Sequence, residues 1–199
     1  LVNGRFRHID TNLASATSAA ARQIHYTAAL PRPDTTRIYV LAVGTPVNAE
    51  HRLVADQLNA AVSEMIAQVQ PGDLVIMRST VPIGKTRAVS DRVAAMVSDV
   101  DFACCPDRSI AGDIFREIHH LPQIIGGITP RAQVRAAALF RRLGVATIAV
   151  DAAETAEAVK LIGTVQRDVL FALSNEIAIR CAAVGLQGHQ VIESHAAGV

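Results

Sequence analysis

Two short loops hold the residues best placed for chemistry, Gly44-Thr45-Pro46 and Ser79-Thr80-Val81-Pro82-Ile83-Gly84. Each follows an apolar run, IYVLAV at 38–43 and DLVIM at 73–77, and each sets a small hydroxyl residue near proline. Runs that apolar, bounded by turn residues, predict strands buried on both faces. In an open parallel sheet, loops at the carboxyl edge face the ligand. The two loops are therefore expected to form one composite ledge. Cys104, Cys105 and Cys181 form no spaced framework. The adjacent pair lies in a third apolar run, which predicts buried free thiols and fits a reducing, cytoplasmic compartment. His119 and His120 suggest a metal pair, but neighbours on a helix point about 100° apart and cannot easily grip one ion.

The scaffold around these loops follows from composition and pattern. The chain has 199 residues, half of them hydrophobic, with few aromatics and no Trp. A sizeable core of Ala, Val, Ile and Leu is expected, as in α/β proteins. A net charge of +1 with no basic run argues against nucleic acid. No apolar run approaches the roughly 20 residues of a membrane span, and residues 1–10 lack the apolar core of a signal peptide. The first residue is Leu1 rather than Met, which predicts a fragment.

Residues 1–10 read as irregular, 11–22 as a helix and 23–27 as a short strand. Residues 38–44 form the first long strand. Apolar spacing over 53–69 predicts a helix that Pro71-Gly72 stops. A strand to Ser79, a helix over 84–97 and a strand over 101–105 follow. Alternating strands and helices at these intervals predict a doubly wound parallel sheet whose inner, adjacent strands are 38–44, 73–79 and 101–105. A short helix over 113–120, a strand over 123–128, a helix from Pro130 to Gly144 and a strand over 145–150 come next. Residues 152–184 form one helical stretch, about 45 Å long at 1.5 Å per residue, which predicts a crossing between domains.

At this point five motifs resemble the nucleotide-sugar 6-dehydrogenases, the UDP-glucose, GDP-mannose and UDP-N-acetylmannosamine dehydrogenases. AVGTP at 42–46 and STVPIG at 79–84 resemble the two cofactor loops, and CPDRSIAG at 105–112 the substrate loop. LPQIIGG at 121–127 and AETAEAVKLI at 153–162 follow in the family's order. RDVLFALSNEIAIRCAAVGL at 167–186 resembles the subgroup acting on UDP-N-acetylmannosamine or UDP-N-acetylglucosamine. The resemblance covers nearly the whole chain. It implies an incomplete Rossmann-like α/β domain binding NAD over 1–151. The start of a central helical dimerisation domain is implied over 152–199.

The resemblance also implies roles. The family oxidises a primary alcohol to an aldehyde and then to an acid, reducing two NAD and holding the aldehyde on a Cys. Lys160 matches the lysine that steadies the oxyanion; a solvated helix lysine is the rival reading. Thr80 matches a threonine that orients water near the nicotinamide; a helix N-cap or turn hydroxyl is its rival. Gly44, Thr45 and Pro46 would approach the cofactor ribose, Gly44 because a side chain would block close approach; the rival is a plain strand-ending turn. Asp107 stands where the family has Glu, so a water it holds would sit about 1.5 Å away from the usual place. Arg108 suits substrate phosphate, as a guanidinium fork does, against a plain surface arginine. Thr164 replaces a substrate-binding Asn, with a shorter reach. Arg167 matches the subgroup's arginine, against a helix-surface ion pair.

Two parts of the family pattern do not occur in this sequence. There is no Gly-x-Gly-x-x-Gly, the loop that brings helix N-terminal amides to a pyrophosphate. None of the three cysteines matches the family's nucleophile. The expectation is the middle of a UDP-N-acetylhexosamine 6-dehydrogenase for surface polysaccharide synthesis, cytoplasmic, dimeric through the long helix and inactive as this chain alone. One alternative is a non-catalytic relative that serves as a dimerisation or binding scaffold, consistent with Asp107 and Thr164. A hydroxyacid-type dehydrogenase shares sheet and helix but lacks the CPDR and LPQIIGG pair.

Overall fold

The computed structural model describes residues 15, 20, 23–25, 27–30, 34–109, 117 and 120–197. Five strands form one sheet in sequence order: β1 (Ile38–Leu41), β2 (Leu74–Met77), β3 (Asp101–Cys104), β4 (Gln123–Gly127) and β5 (Thr147–Val150). β1, β2 and β3 pair in parallel, with Leu41 opposite Met77 and Met77 opposite Cys104. β4 runs antiparallel to β3, pairing Cys104 with Gly126, and β5 is parallel to β4. The fold is thus the expected α/β class, with a mostly parallel sheet.

Side-chain alternation divides the core between the two faces. On one face Tyr39, Leu41, Val75, Met77 and Phe102 pack with α1 (Asp56–Ile66) and α2 (Lys85–Ala94). Leu58, Val62 and Met65 supply the buried stripe of α1 at helical spacing. On the other face Ile76, Ala103, Cys105 and Ile125 meet Ala136, Ala137 and Phe140 of α3 (Pro130–Arg142). Pro130 fits the first turn of α3, and the Thr129 hydroxyl accepts from the Ala132 amide at 3.1 Å. At the amino ends of the strands, buried Asp101 takes both Arg131 and Arg135, the latter at 2.7 Å. Asp73 accepts from the backbone of Arg37 and Gln70.

The long helix, α4 (Ala153–Ala183), starts against the α1/α2 side, with Ala153 and Ala156 buried beside Cys104 and Ile124. Gly126 permits this approach: a Cβ there would run into the Ala152 carbonyl oxygen. The described contacts divide the chain into two compact units, Leu1–Lys160 and Leu161–Val199. The second unit contains the rest of α4 and a helix not anticipated from sequence, α5 (Gly188–Ala196). Gly185, at φ 77°, turns the chain between them. Ile162, Val165, Val169, Leu170, Phe171 and Leu173 on α4 are each more than half exposed. Among the described residues, no helix is long and apolar enough to cross a membrane.

Several expectations change. β1 is an edge strand of the described sheet, not an inner one, and it alternates: Tyr39 and Leu41 are buried, whereas Ile38 and Val40 are 46% and 49% exposed. α3 covers β2 to β4 and leaves that half of β1 bare, so an apolar run did not mean two covered faces. Residues 23–25 and 27 form no strand. Ala156 and Val159, on the helix expected to pair with a second copy, pack against Cys104 and Ile124 of the sheet. The predicted helices over 11–22 and 113–120, and His119, lie largely outside the described residues; Ser15, Ala20, Glu117 and His120 are helical.

Candidate active site

The loops after β1 and β2 lie side by side because Ser79 joins them. Its hydroxyl donates to the Val43 carbonyl at 2.7 Å, and its amide donates to the Leu41 carbonyl at 3.0 Å. Gly44, Thr45 and Pro46 therefore adjoin Ser79 and Thr80 at the carboxyl edge, as the composite ledge requires. A Cβ on Gly44 would stand 2.9 Å from the Gln57 side-chain oxygen, the end of a flexible side chain that can step aside, so protein packing alone does not require glycine there. Thr80 caps no helix: the N-cap of α2 is Gly84, in the left-handed conformation at φ 88°.

The third loop is held by a residue the sequence reading passed over. Arg78 donates to the Gln123 side-chain oxygen at 2.9 Å and to the Cys105 carbonyl at 3.4 Å, and it pairs with Asp107 at 3.2 Å. Its guanidinium also lies 5.6 Å from the centre of the Phe140 ring. Gln123 adds a bond from its amide nitrogen to the Pro106 carbonyl at 3.1 Å. Asp107 accepts from both the amide and the hydroxyl of Ser109, which closes an Asx turn. All three contacts fall on one carboxylate oxygen, Oδ1. Arg108 reaches the Pro122 carbonyl at 3.5 Å. Arg78, Asp107, Arg108 and Gln123 line a cavity of about 460 Å³ whose apolar wall includes Ile76 and Phe140. Thr80 and Lys160 do not line it.

Lys160 is half-buried near the start of α4. Two glutamates earlier on that helix tie it to α2. Glu154 pairs with Arg87 at 2.5 Å, and the arginine holds its carboxyl below the usual range. Glu157 is 1% exposed and accepts from the Gly84 amide, the Thr86 amide and the Thr86 hydroxyl at 2.6–2.7 Å. Thr164 is exposed and Arg167 half-buried, four and seven residues further along α4 in the second compact unit. Cys104 and Cys105 are fully buried. Burial pushes the Cys104 thiol up to about 12, with nearby Glu157 adding to the shift, and pushes Cys105 up as well.

Comparison with known proteins decides the family. Residues 3–144 match the model of the UDP-glucose/GDP-mannose dehydrogenase family, NAD binding domain. The chain belongs to this family. It is 30% identical over 201 residues to an NDP-N-acetyl-D-galactosaminuronic acid dehydrogenase of Ralstonia nicotianae, covering 95% of this chain and 47% of the relative. It is 28% identical over 179 residues to the UDP-N-acetyl-D-mannosamine dehydrogenase of Yersinia pestis, covering 84% of this chain and 43% of that one. The chain thus spans about half the length of the curated relatives it matches. The solved UDP-D-ManNAc dehydrogenase of Pyrococcus horikoshii superposes with a TM-score of 0.73 at 30% identity, covering 78% of this chain and 38% of that one. The UDP-N-acetyl-mannosamine dehydrogenase of Staphylococcus aureus reaches 0.79 over 96% of this chain and 48% of its own, at 24% identity, a likeness of fold. NAD is the cofactor of this family's domain. The first amides of α2 are engaged by Glu157 and do not serve a pyrophosphate.

Proposed function

We propose that this chain carries the central part of an NAD-dependent nucleotide-sugar 6-dehydrogenase that oxidises a UDP-N-acetylhexosamine, of the ManNAc or GlcNAc type, to its uronic acid for surface polysaccharide synthesis. The observation that carries the reading is the Ser79 bond that joins the Gly44-Thr45-Pro46 loop to the Thr80 loop at the carboxyl edge. NAD, when bound, would take the hydride. Gly44 would admit the ribose backbone-close, with Thr45 and Pro46 beside it, and Thr80 would hold a water or the sugar hydroxyl by its own hydroxyl. Lys160 would place an ammonium where negative charge develops on the sugar carbon's oxygen. Arg108 would bind the nucleotide sugar, a role the resemblance also gives to Thr164 and Arg167 of the second unit, and Asp107 would shape its loop through the Oδ1 that Arg78 and Ser109 hold while its carboxylate holds a water. Residues 1–151 would form the NAD-binding part and 152–199 the start of a central helical domain that pairs with a second copy.

The same residues argue that this chain alone does not turn over. Its sequence contains no Gly-x-Gly-x-x-Gly, and burial raises the Cys104 and Cys105 thiols, which suppresses the thiolate a covalent step needs. The purified chain, given NAD with UDP-N-acetylmannosamine or UDP-N-acetylglucosamine, is expected to form no NADH. Sustained NADH formation that Lys160→Ala abolishes would overturn the inactivity and leave the assignment of Lys160 standing.

A further inference from the structure

Glu154, Glu157 and Lys160 recur every third residue and so share one side of α4. Two of them grip α2, the helix that the Thr80 loop leads into. An α-helix leaves its first amides without partners, and Gly84, as N-cap, has no side chain to offer them. Glu157 supplies that acceptor from 71–73 residues away, taking three donors on two oxygens while fully enclosed. A carboxylate suits the place twice over. Its charge faces the positive end of α2, and charge-assisted bonds are the short, strong ones. Glu154 and Arg87 add a second, solvent-facing tie between the same helices.

We propose that Glu157 is a positioning residue: its clamp on Gly84 and Thr86 fixes where Lys160 stands relative to the Thr80 loop. This rests on the roles given above to Thr80 and Lys160. A cap that served only to stabilise α2 could come from any nearby acceptor. This one comes from the first turns of the helix that carries Lys160, one turn before it. Cofactor loop and lysine therefore move as one piece. Arg87–Glu154 is too exposed to hold that register alone.

The test uses the isotope-labelled chain and needs neither nucleotide nor turnover, so its failure is separate from a failure of the enzymatic reading. Thr86→Val removes one donor to Glu157 without changing charge or volume. It is expected to shift both the Thr80 amide and the Lys160 side-chain carbon resonance beyond their line widths. Thr86→Ser, which keeps the hydroxyl, is expected to restore both. Glu157→Gln is expected to speed amide exchange at Gly84 and Thr86 at least tenfold, with Val75 and Ile125 unchanged. If the Lys160 resonance in Thr86→Val matches the wild type, or if Thr86→Ser fails to restore it, Glu157 is a helix cap and nothing more.

Discussion

At the scale of single residues, the groups that organise the candidate site are mostly not the ones its motifs advertise. Asp107 is half in solvent, whereas Arg78 behind it binds three acceptors from β4 and the 105–109 loop. Arg78→Ala leaves Gln123 without its donor and is expected to cost about 2 kcal/mol. Asp107→Ala loses one exposed pair and two solvent-exposed bonds from Ser109, and should cost about 1 kcal/mol. Urea unfolding of the two variants checks the order, and a larger loss for Asp107→Ala would contradict it. The buried thiols give a second expectation. Cys104 is pushed up to about 12, so the folded chain keeps its proton where an unfolded thiol, with a pKa near 8.5, loses it. Above that pH the unfolded state binds fewer protons, and stability must fall as pH rises. A disulfide reagent at pH 8 should label Cys104 and Cys105 only after urea is added; labelling of the native chain within minutes would count against this burial. Lys160, Thr80 and the glycine loop were legible as types in a pattern. Arg78, Gln123 and Glu157 were not, because their partners lie 17 to 73 residues away in the chain.

At the scale of elements, hydrophobic runs located the strands well and their surroundings poorly. β2 and β3 are buried throughout, as continuous apolar runs predict, but β1 has one open face despite an equally apolar sequence. A run records what a strand tolerates, and coverage is set by which helices reach it. Strand direction is likewise absent from composition, so the antiparallel β4 could not be read from LPQIIGG. Its paired glycines have a steric cause visible only in the fold. Gly127 faces the Gln133 amide and Thr129 carbonyl at 2.6 Å from a would-be Cβ, and Gly126 faces the start of α4. Both contacts are backbone atoms that cannot step aside. Gly126→Ala is expected to destabilise the chain by about 3 kcal/mol or to prevent folding. Thermal unfolding within a degree or two of wild type would refute the close approach of α4 to β4.

At the scale of the molecule, the second compact unit leaves a large apolar surface on α4 uncovered, which soluble chains tend to bury against a partner. Leu170, Leu173 and Ile179 are each more than half exposed, and we expect them to meet a second copy of the chain. Sedimentation should show a dimer that Leu173→Glu dissociates; a stable monomer at high concentration would contradict the pairing. The other unit carries the proposed cofactor ledge, the paired loops that would hold NAD. The most direct test is titration of the isotope-labelled chain with NAD, read at backbone amides. Saturable shifts at Gly44, Thr45, Thr80 and Val81, with the amino-end residues Asp73 and Asp101 unmoved, are the predicted result. Saturation with no response in either loop, or shifts confined to the amino ends of the strands, would contradict it.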